Sequence, residues 1–272
     1  MDNYAFRKFK NRLFLILSLL CVIIAIIPLL SILIEVIVRG ASQINLEFLF
    51  SVNGIGPAIQ GTLILIGLTS LIGIPIGIMS GIYLSEYGNN RYASWMRTFN
   101  DLLTEFPSIV IGITVSVVLV IGIIGSFSAI AGAVALSFML IPIVARTTEE
   151  SLKLVPNSVR EASMALGVYR WKTILMVVLP AGKSGLITGA LLAVARIAGE
   201  TAPLIMTVLG SRYFFQGLFE PMASLPIMIW RSALQPSAAV QAEGWGAALV
   251  LILIVLSLNI GVRLVSRGRI RK

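Results

Sequence analysis

Histidine is absent from the 272 residues, and cysteine occurs once. The first absence excludes histidine-based acid–base catalysis, histidine metal ligation and a histidine pH switch. The single thiol, Cys21, excludes an internal disulfide and a cysteine-rich metal site. Inside an apolar run it reads as a small buried hydrophobe. Charge is scarce as well: 12% of the residues are Asp, Glu, Lys or Arg, fewer than a soluble folded surface needs to stay dispersed. That scarcity argues against a soluble enzyme.

What is present is apolar: 57% of the residues are hydrophobic and the mean hydropathy is +0.97. These residues fall in runs of about 20 or more, the length at which a helix crosses roughly 30 Å of hydrocarbon. The chain therefore reads as an all-α integral membrane protein. Six transmembrane helices are predicted, at Leu13 to Ile34, Ala58 to Leu84, Pro107 to Ile124, Phe127 to Ala145, about Gly185 to Leu209, and Trp245 to Val265. The first follows Arg7, Lys8, Lys10 and Arg12 and looks like a signal peptide. It is too long for a cleaved apolar region, and no small-residue cleavage site follows. Leu19 and Leu20 before Cys21 also argue against a lipoprotein cysteine. Gly125 and Ser126 mark a tight hairpin between the third and fourth spans.

The formal net charge of +9 is explained by sidedness. Taking both termini and the even-numbered loops as one side, all but four of the 21 Lys and Arg residues fall there. The exceptions are Arg39, Arg212 and Arg231 on the other side and Arg196 within a span. By the positive-inside rule the crowded side, with both termini, is cytoplasmic. The excess charge then reflects topology and lipid headgroups, and no nucleic-acid partner is expected.

Two segments outside the spans exceed simple turns, Arg146 to Lys183 on the cytoplasmic side and Gly210 to Gly244 outside. In the first, Ser158 and Glu161 have the spacing of a reciprocal helix cap. A short helix is predicted through Ala162 to Leu166, stopped by Gly167, with a second from about Tyr169 that carries Arg170, Trp171 and Lys172 and reaches Leu179-Pro180, where the next span begins to form. Small residues such as Ala162 and Ser163 offer a close-approach surface for another protein, although a long loop also forms a capped interfacial helix without any partner. The external stretch Leu225 to Leu234 reads equally as a partner contact or as a plain interfacial helix. The four-residue spacing of Gly73, Gly77 and Gly81, and of Gly185 and Gly189, predicts close helix packing. Pro75, Pro142 and Pro203 free backbone carbonyls within their helices.

The sequence Glu161-Ala162-Ser163-Met164-Ala165-Leu166-Gly167, with Val177-Val178-Leu179-Pro180 after nine residues, resembles the EAA loop of type I ABC importer permeases, E-A-A-x3-G-x9-I-x-L-P. Ser163 replaces the second alanine and Val177 the isoleucine, both keeping size and character. The resemblance implies that Glu161, Ala162, Ser163 and Gly167 belong to a coupling helix that docks on a separate ATPase subunit. Gly182-Lys183-Ser184 is not a phosphate-binding loop, because Val177 stands where its first glycine belongs and Pro180 intervenes. The chain is thus expected to be a non-catalytic subunit without a cofactor of its own, ATP being bound by its partner.

Arg196 and Glu200 stand four apart in the fifth predicted span, hence on one helix face. Each charge near mid-membrane costs about 2.5–3.5 kcal/mol on insertion scales, which disfavours a lipid-facing position. The pair either lines a pathway or locks packing. The stretch A-R-x-x-G-E-T-A-P-L from Ala195 to Leu204, with Thr104 to Gly112 opening the third span, is similar to the phosphate-specific (Pst) permeases, in arrangement nearest the A-subunit family. Pro221 to Pro226 fits the same family. The resemblance covers about Ala58 to Val265. It implies a PstC-like permease partner in a heterodimer, a PstB-like ATPase dimer, a PstS-like phosphate-binding protein, inorganic phosphate as substrate, and a bacterial or archaeal cytoplasmic membrane. Arg196, Glu200 and Thr201 are its candidate pathway residues.

The expected division is residues 1–57 for the basic tail, first span and external loop, 58–265 for the permease domain with its coupling loop at 146–183, and 266–272 for a basic tail. A permease for molybdate or sulfate, a stand-alone secondary transporter and a membrane enzyme are the rivals. The first matches the G-E-T-A-P-L context poorly. The second predicts inverted repeats and several intramembrane charges. The third finds no histidine or cysteine ligands and no nucleophile–base constellation.

Overall fold

The computed structural model describes residues 3–267, and no strand occurs among them. The basic tail from Gly268, with Arg269, Arg271 and Lys272, lies outside the described residues. In chain order the helices are α1 (Asn3–Ala41), α2 (Leu46–Phe50), α3 (Gly56–Glu86), α4 (Arg91–Glu105) and α5 (Ser108–Val115), the last running on as a π-helical stretch, Ser116–Ile124. They continue as α6 (Ala129–Lys153), α7 (Asn157–Ala165), α8 (Arg170–Thr173), a π-helical stretch Ile174–Val178, α9 (Leu179–Ile197), α10 (Ala202–Thr207), α11 (Leu225–Ala233) and α12 (Ala238–Arg267). Local chemistry sets several of the starts. Asn45, Asn90 and Ser128 accept hydrogen bonds from the amides of Phe48, Ala93 and Ala131, satisfying donors that a first turn leaves free.

Among the described residues five helices are long and apolar enough to cross a membrane, and the bent pair α4 with α5 makes a sixth candidate. The span count expected from the sequence therefore stands, with changes at three places. The third span ends at Gly125, whose φ of +80° suits a residue without a side chain. It is preceded by α4 at an angle of 102°. The bend sits at Phe106-Pro107: a residue before proline is pushed to extended backbone, and ψ is 134° and 131° at these two positions.

The fifth span differs most. It runs from Arg170 to Ile197, so it begins well before Gly185 and stops before Leu209. The π-helical turn at Ile174–Val178 lies just ahead of Pro180, where a missing amide and a bulky ring disturb the helical ladder. After Ile197 the helix breaks and restarts as α10 with Pro203 in its first turn. In a continuous helix the Pro203 ring would collide with the Gly199 carbonyl. Pro75 and Pro142, by contrast, lie inside unbroken helices. The long segment at 146–183 shrinks accordingly, because α6 extends through Lys153 and the span resumes at Arg170, leaving 154–169 as the connection.

α6 is the axis of the bundle. Three-fifths of its most apolar window is buried (61%), and it packs on α3, α9, α4, α10 and α5. Glycine brings two neighbours close. A Cβ on Gly73 or Gly77 would lie 2.7 Å from Leu140 or Val144, and one on Gly81 2.5 Å from Thr148 and from the Ala145 carbonyl. On the other flank Gly182 faces Leu152, Gly185 faces Ser151 and Gly189 faces Thr147. α1 stands apart: none of its apolar window is buried, and it meets α12 at Val36 and Gly40. Cys21 lies on this exposed helix and is not a buried packing residue. α11 is folded into the body, with Leu225, Pro226 and Ile227 buried against α3 and α12, so it is not a plain surface helix.

Replacing Gly81 by alanine is expected to lower the stability of the purified protein by about 1–3 kcal/mol through overpacking against α6. Gly67→Ala, at a position with nothing within 4 Å of its Cβ, is the control expected to be neutral or stabilising. Thermal unfolding in detergent reads both, and equal midpoints for the two variants would refute the packing account.

Candidate functional site

Two regions hold the residues singled out in the sequence. The first is a cavity of about 130 Å3 midway along α6, lined by Leu103, Thr104 and Phe106 of α4 and its cap, Ser108 of α5, Met139 and Ile143 of α6, Arg196 of α9, and Glu200. It exists because of the two helix breaks. The bend at Pro107 turns the end of α4 and the start of α5 towards the point where α9 stops. The broken spans also touch directly: a Cβ on Gly112 of α5 would lie 2.6 Å from the Pro203 Cα.

Arg196 and Glu200 do line one cavity, though not as neighbours on a continuous helix face. Glu200 lies beyond the helix, with its amide donating to the Ile197 carbonyl at 3.1 Å. No ion pair within 4.0 Å joins the two among the described residues. Arg196 is exposed and Glu200 half-buried in the single chain. Thr201 is not among the lining residues; its hydroxyl donates a long bond, 3.5 Å, to the Gly199 carbonyl. Thr104 and Ser108, which the sequence reading placed at the opening of the third span without a role, contribute the cavity's hydroxyls.

The second region is α7 and its anchorage. Gly167, at φ +80°, ends the turn after α7, as its position predicts. The reciprocal cap at Ser158 does not form: Pro156 occupies the cap position without a side-chain bond, which places Ser158 inside the first turn. Glu161, Ala162 and Gly167 are exposed, together with Leu154, Leu166 and Tyr169 around them. Ser163 is not part of this outer surface. It is buried and shares a 2.9 Å hydrogen bond with the Thr173 hydroxyl, tying α7 to α8.

Three arginines from three helices converge on the end of α3, a node that span counting alone did not reveal. Arg160 of α7 pairs with the largely buried Glu86 at 2.7 Å, and donates to the Leu152 carbonyl at 2.8 Å and to the Val155 carbonyl. Arg170 of α8 donates to the Glu86 carbonyl and stacks over Tyr87, 4.5 Å from the ring centroid. Arg97 of α4 donates to the carbonyls of Leu84 and Gly88 at 2.9 and 3.0 Å and pairs with Glu149 of α6 at 2.9 Å. Helix-terminal carbonyls lack intrahelical partners, and cations there are favoured. The result is a continuous set of polar contacts from α7 through α3 to α4, whose far end lines the cavity.

Residues 73–271 match the family described as binding-protein-dependent transport system inner membrane component. The phosphate transport system permease protein PstA of Haemophilus influenzae is 43% identical over 271 residues, covering 96% of this chain and 95% of that protein. The probable phosphate transport system permease protein PstA of Methanocaldococcus jannaschii is 36% identical, covering 97% and 96%. Among solved structures, a chain of a bacterial ABC transporter involved in the import of the acidic polysaccharide alginate superposes with a TM-score of 0.71 at 18% identity, over 98% of this chain and 99% of that one. The fold is therefore that of the type I ABC importer permeases, and the chain belongs to the PstA family of multi-pass phosphate transport system permease proteins.

Proposed function

We propose that this chain is the translocation subunit of an ATP-driven importer of inorganic phosphate. The reading rests on one observation above others, the end-to-end likeness to relatives named as phosphate transport system permeases. The site supplies the chemistry. Arg196 offers a fixed cation and a planar fork for phosphate oxygens. Glu200, when ionised, accepts a hydrogen bond from the O–H that hydrogen phosphate still carries and fully ionised sulfate lacks. A carboxylate beside the arginine also keeps binding weak enough for release, as transport requires. Thr104 and Ser108 add neutral hydroxyls to the same cavity.

The chain itself is the non-catalytic subunit and holds no cofactor; ATP is bound and hydrolysed by a PstB-like dimer. A PstC-like permease completes the pathway, and a PstS-like binding protein delivers phosphate. A structural neighbour was solved in complex with an alginate pentasaccharide-bound periplasmic protein, and another belongs to the MetNI methionine ABC transporter. The assembly sits in the bacterial or archaeal cytoplasmic membrane, with both termini and α7 on the cytoplasmic side by the distribution of basic residues. The exposed surface around Glu161, Ala162 and Gly167 docks on the ATPase, and the arginine node carries its displacement to α3 and α4.

Arg196→Ala and Glu200→Ala should each lower ATP-driven phosphate uptake by about 10- to 100-fold, the scale of losing charge-assisted hydrogen bonds in a transport step. The assay is uptake into vesicles reconstituted with the four kinds of subunit, with sulfate as competitor. Wild-type uptake by assembled variants, or equal competition by sulfate, would overturn the pathway roles. Arg160→Leu leaves Glu86 buried without its partner and should weaken the anchorage of α7 by about 3–5 kcal/mol. Hydrogen exchange should quicken in α7 and its flanks while the central turns of α3 and α6 keep their protection; unchanged exchange in α7 would refute the anchoring role.

A further inference from the structure

At the end of the bundle that carries α11, a cavity of about 710 Å3 opens between the loop at Val52–Gly54, the segment Gly210–Tyr213, α11 and the start of α12. Its walls include Arg212, Arg231, Ser224 and a single carboxylate, Glu243. Neither arginine lies within 4.0 Å of a carboxylate among the described residues. Arg231 donates instead to the Leu209 carbonyl, beside the consecutive positive-φ residues Leu209 and Gly210 that shape one wall. Ser224 is 2% exposed, and its Oγ is buried without a hydrogen-bond partner. A buried polar atom left unbonded points to a missing partner. Two guanidinium groups against one carboxylate leave the site positive, which defines that partner as an anion.

Glu200, which lines the inner cavity, and Gly210, which lines the outer one, flank α10 within ten residues of each other along the chain. We propose that the outer cavity is a staging site for a tetrahedral oxyanion, hydrogen phosphate, occupied before the anion reaches Arg196. Arg212 draws the anion in, as a positive cleft concentrates an anionic substrate. Ser224 donates its unused O–H. Glu243 accepts from the protonated form and keeps the anion from being held too tightly. This inference rests on the reading of the chain as part of a phosphate importer, and its test separates the two.

The assembled transporter would carry Cys21→Ser and Gln235→Cys, the latter on the cavity wall. Its labelling by a membrane-impermeant maleimide is followed with added inorganic phosphate and without the binding protein. Occupancy by phosphate should slow labelling about threefold at a concentration twice its dissociation constant. Arg212→Gln should abolish that protection; Arg212 makes no hydrogen bond or ion pair among the described residues, so the change leaves the fold intact, and Ser224→Ala should weaken it independently. Uptake of phosphate by the same preparation, once the binding protein is added, is the parallel measurement. Uptake without protection overturns the staging site alone, whereas absence of uptake in the parent transporter overturns the importer reading. Protection by the binding protein but not by phosphate, or protection indifferent to Arg212→Gln, also overturns the site and leaves a protein-docking face or a lipid-filled cavity in its place.

Discussion

Two rows of glycine hold α6 between α3 and α9. In hydrocarbon no hydrophobic force drives helices together, so association depends on close van der Waals fit and on hydrogen bonds between them. Gly73, Gly77 and Gly81 provide that fit on one flank, and Gly182, Gly185 and Gly189 on the other. The contacts are specific in register, since sliding either helix along α6 would bring a larger side chain against Leu140, Val144 or Leu152. The three helices therefore behave as one block. The parts able to shift against it are those joined by breaks: α4 through Phe106-Pro107, and α10 through the residues after Ile197.

Both breaks trace to proline, and both expose backbone polar groups at membrane depth. Such groups are tolerated there only against protein or a water-filled space. The cavity holding Arg196 and Glu200 meets that condition. The charge and the irregular backbone thus explain each other: a continuous fifth helix would carry the charged pair with no space to receive it, and a break without polar neighbours would leave carbonyls unsatisfied in hydrocarbon. On the α7 side the same block ends in the arginine node, which links α7 to the helices around the bend.

Much of this was legible in the sequence because membrane helices obey simple rules. The six spans, the glycine packing, the hairpin at Gly125 and the helix stop at Gly167 follow from length, spacing and backbone freedom. The helix start near Tyr169 was legible, but its continuity with the fifth span was not, because Arg170 and Lys172 sit beyond the apolar core, where hydropathy no longer reports helix ends. α4 escaped for a related reason: at 102° to its neighbour, with Tyr92, Trp95 and Phe99 exposed on one side, it is amphipathic rather than uniformly apolar. Ser163 was misplaced because a small residue suits an outer docking face and a buried helix contact equally well. Arg160 was hidden because pairing with Glu86 depends on two segments 74 residues apart, which no local spacing encodes.

The exposure of Arg196 carries one more consequence. An arginine without an ion-pair partner at membrane depth is stable only where water or another polar surface reaches it, since facing lipid costs several kcal/mol. In the single chain its guanidinium is exposed while the helix around it is buried at Ala193, Val194 and Ile197. The exposed flank of this cavity is therefore not a lipid face. A passage built from one chain would have to enclose that flank with its own helices, and here it does not. In the proposed importer a second permease subunit would supply that wall, each subunit giving one side of a charged pathway that neither closes alone.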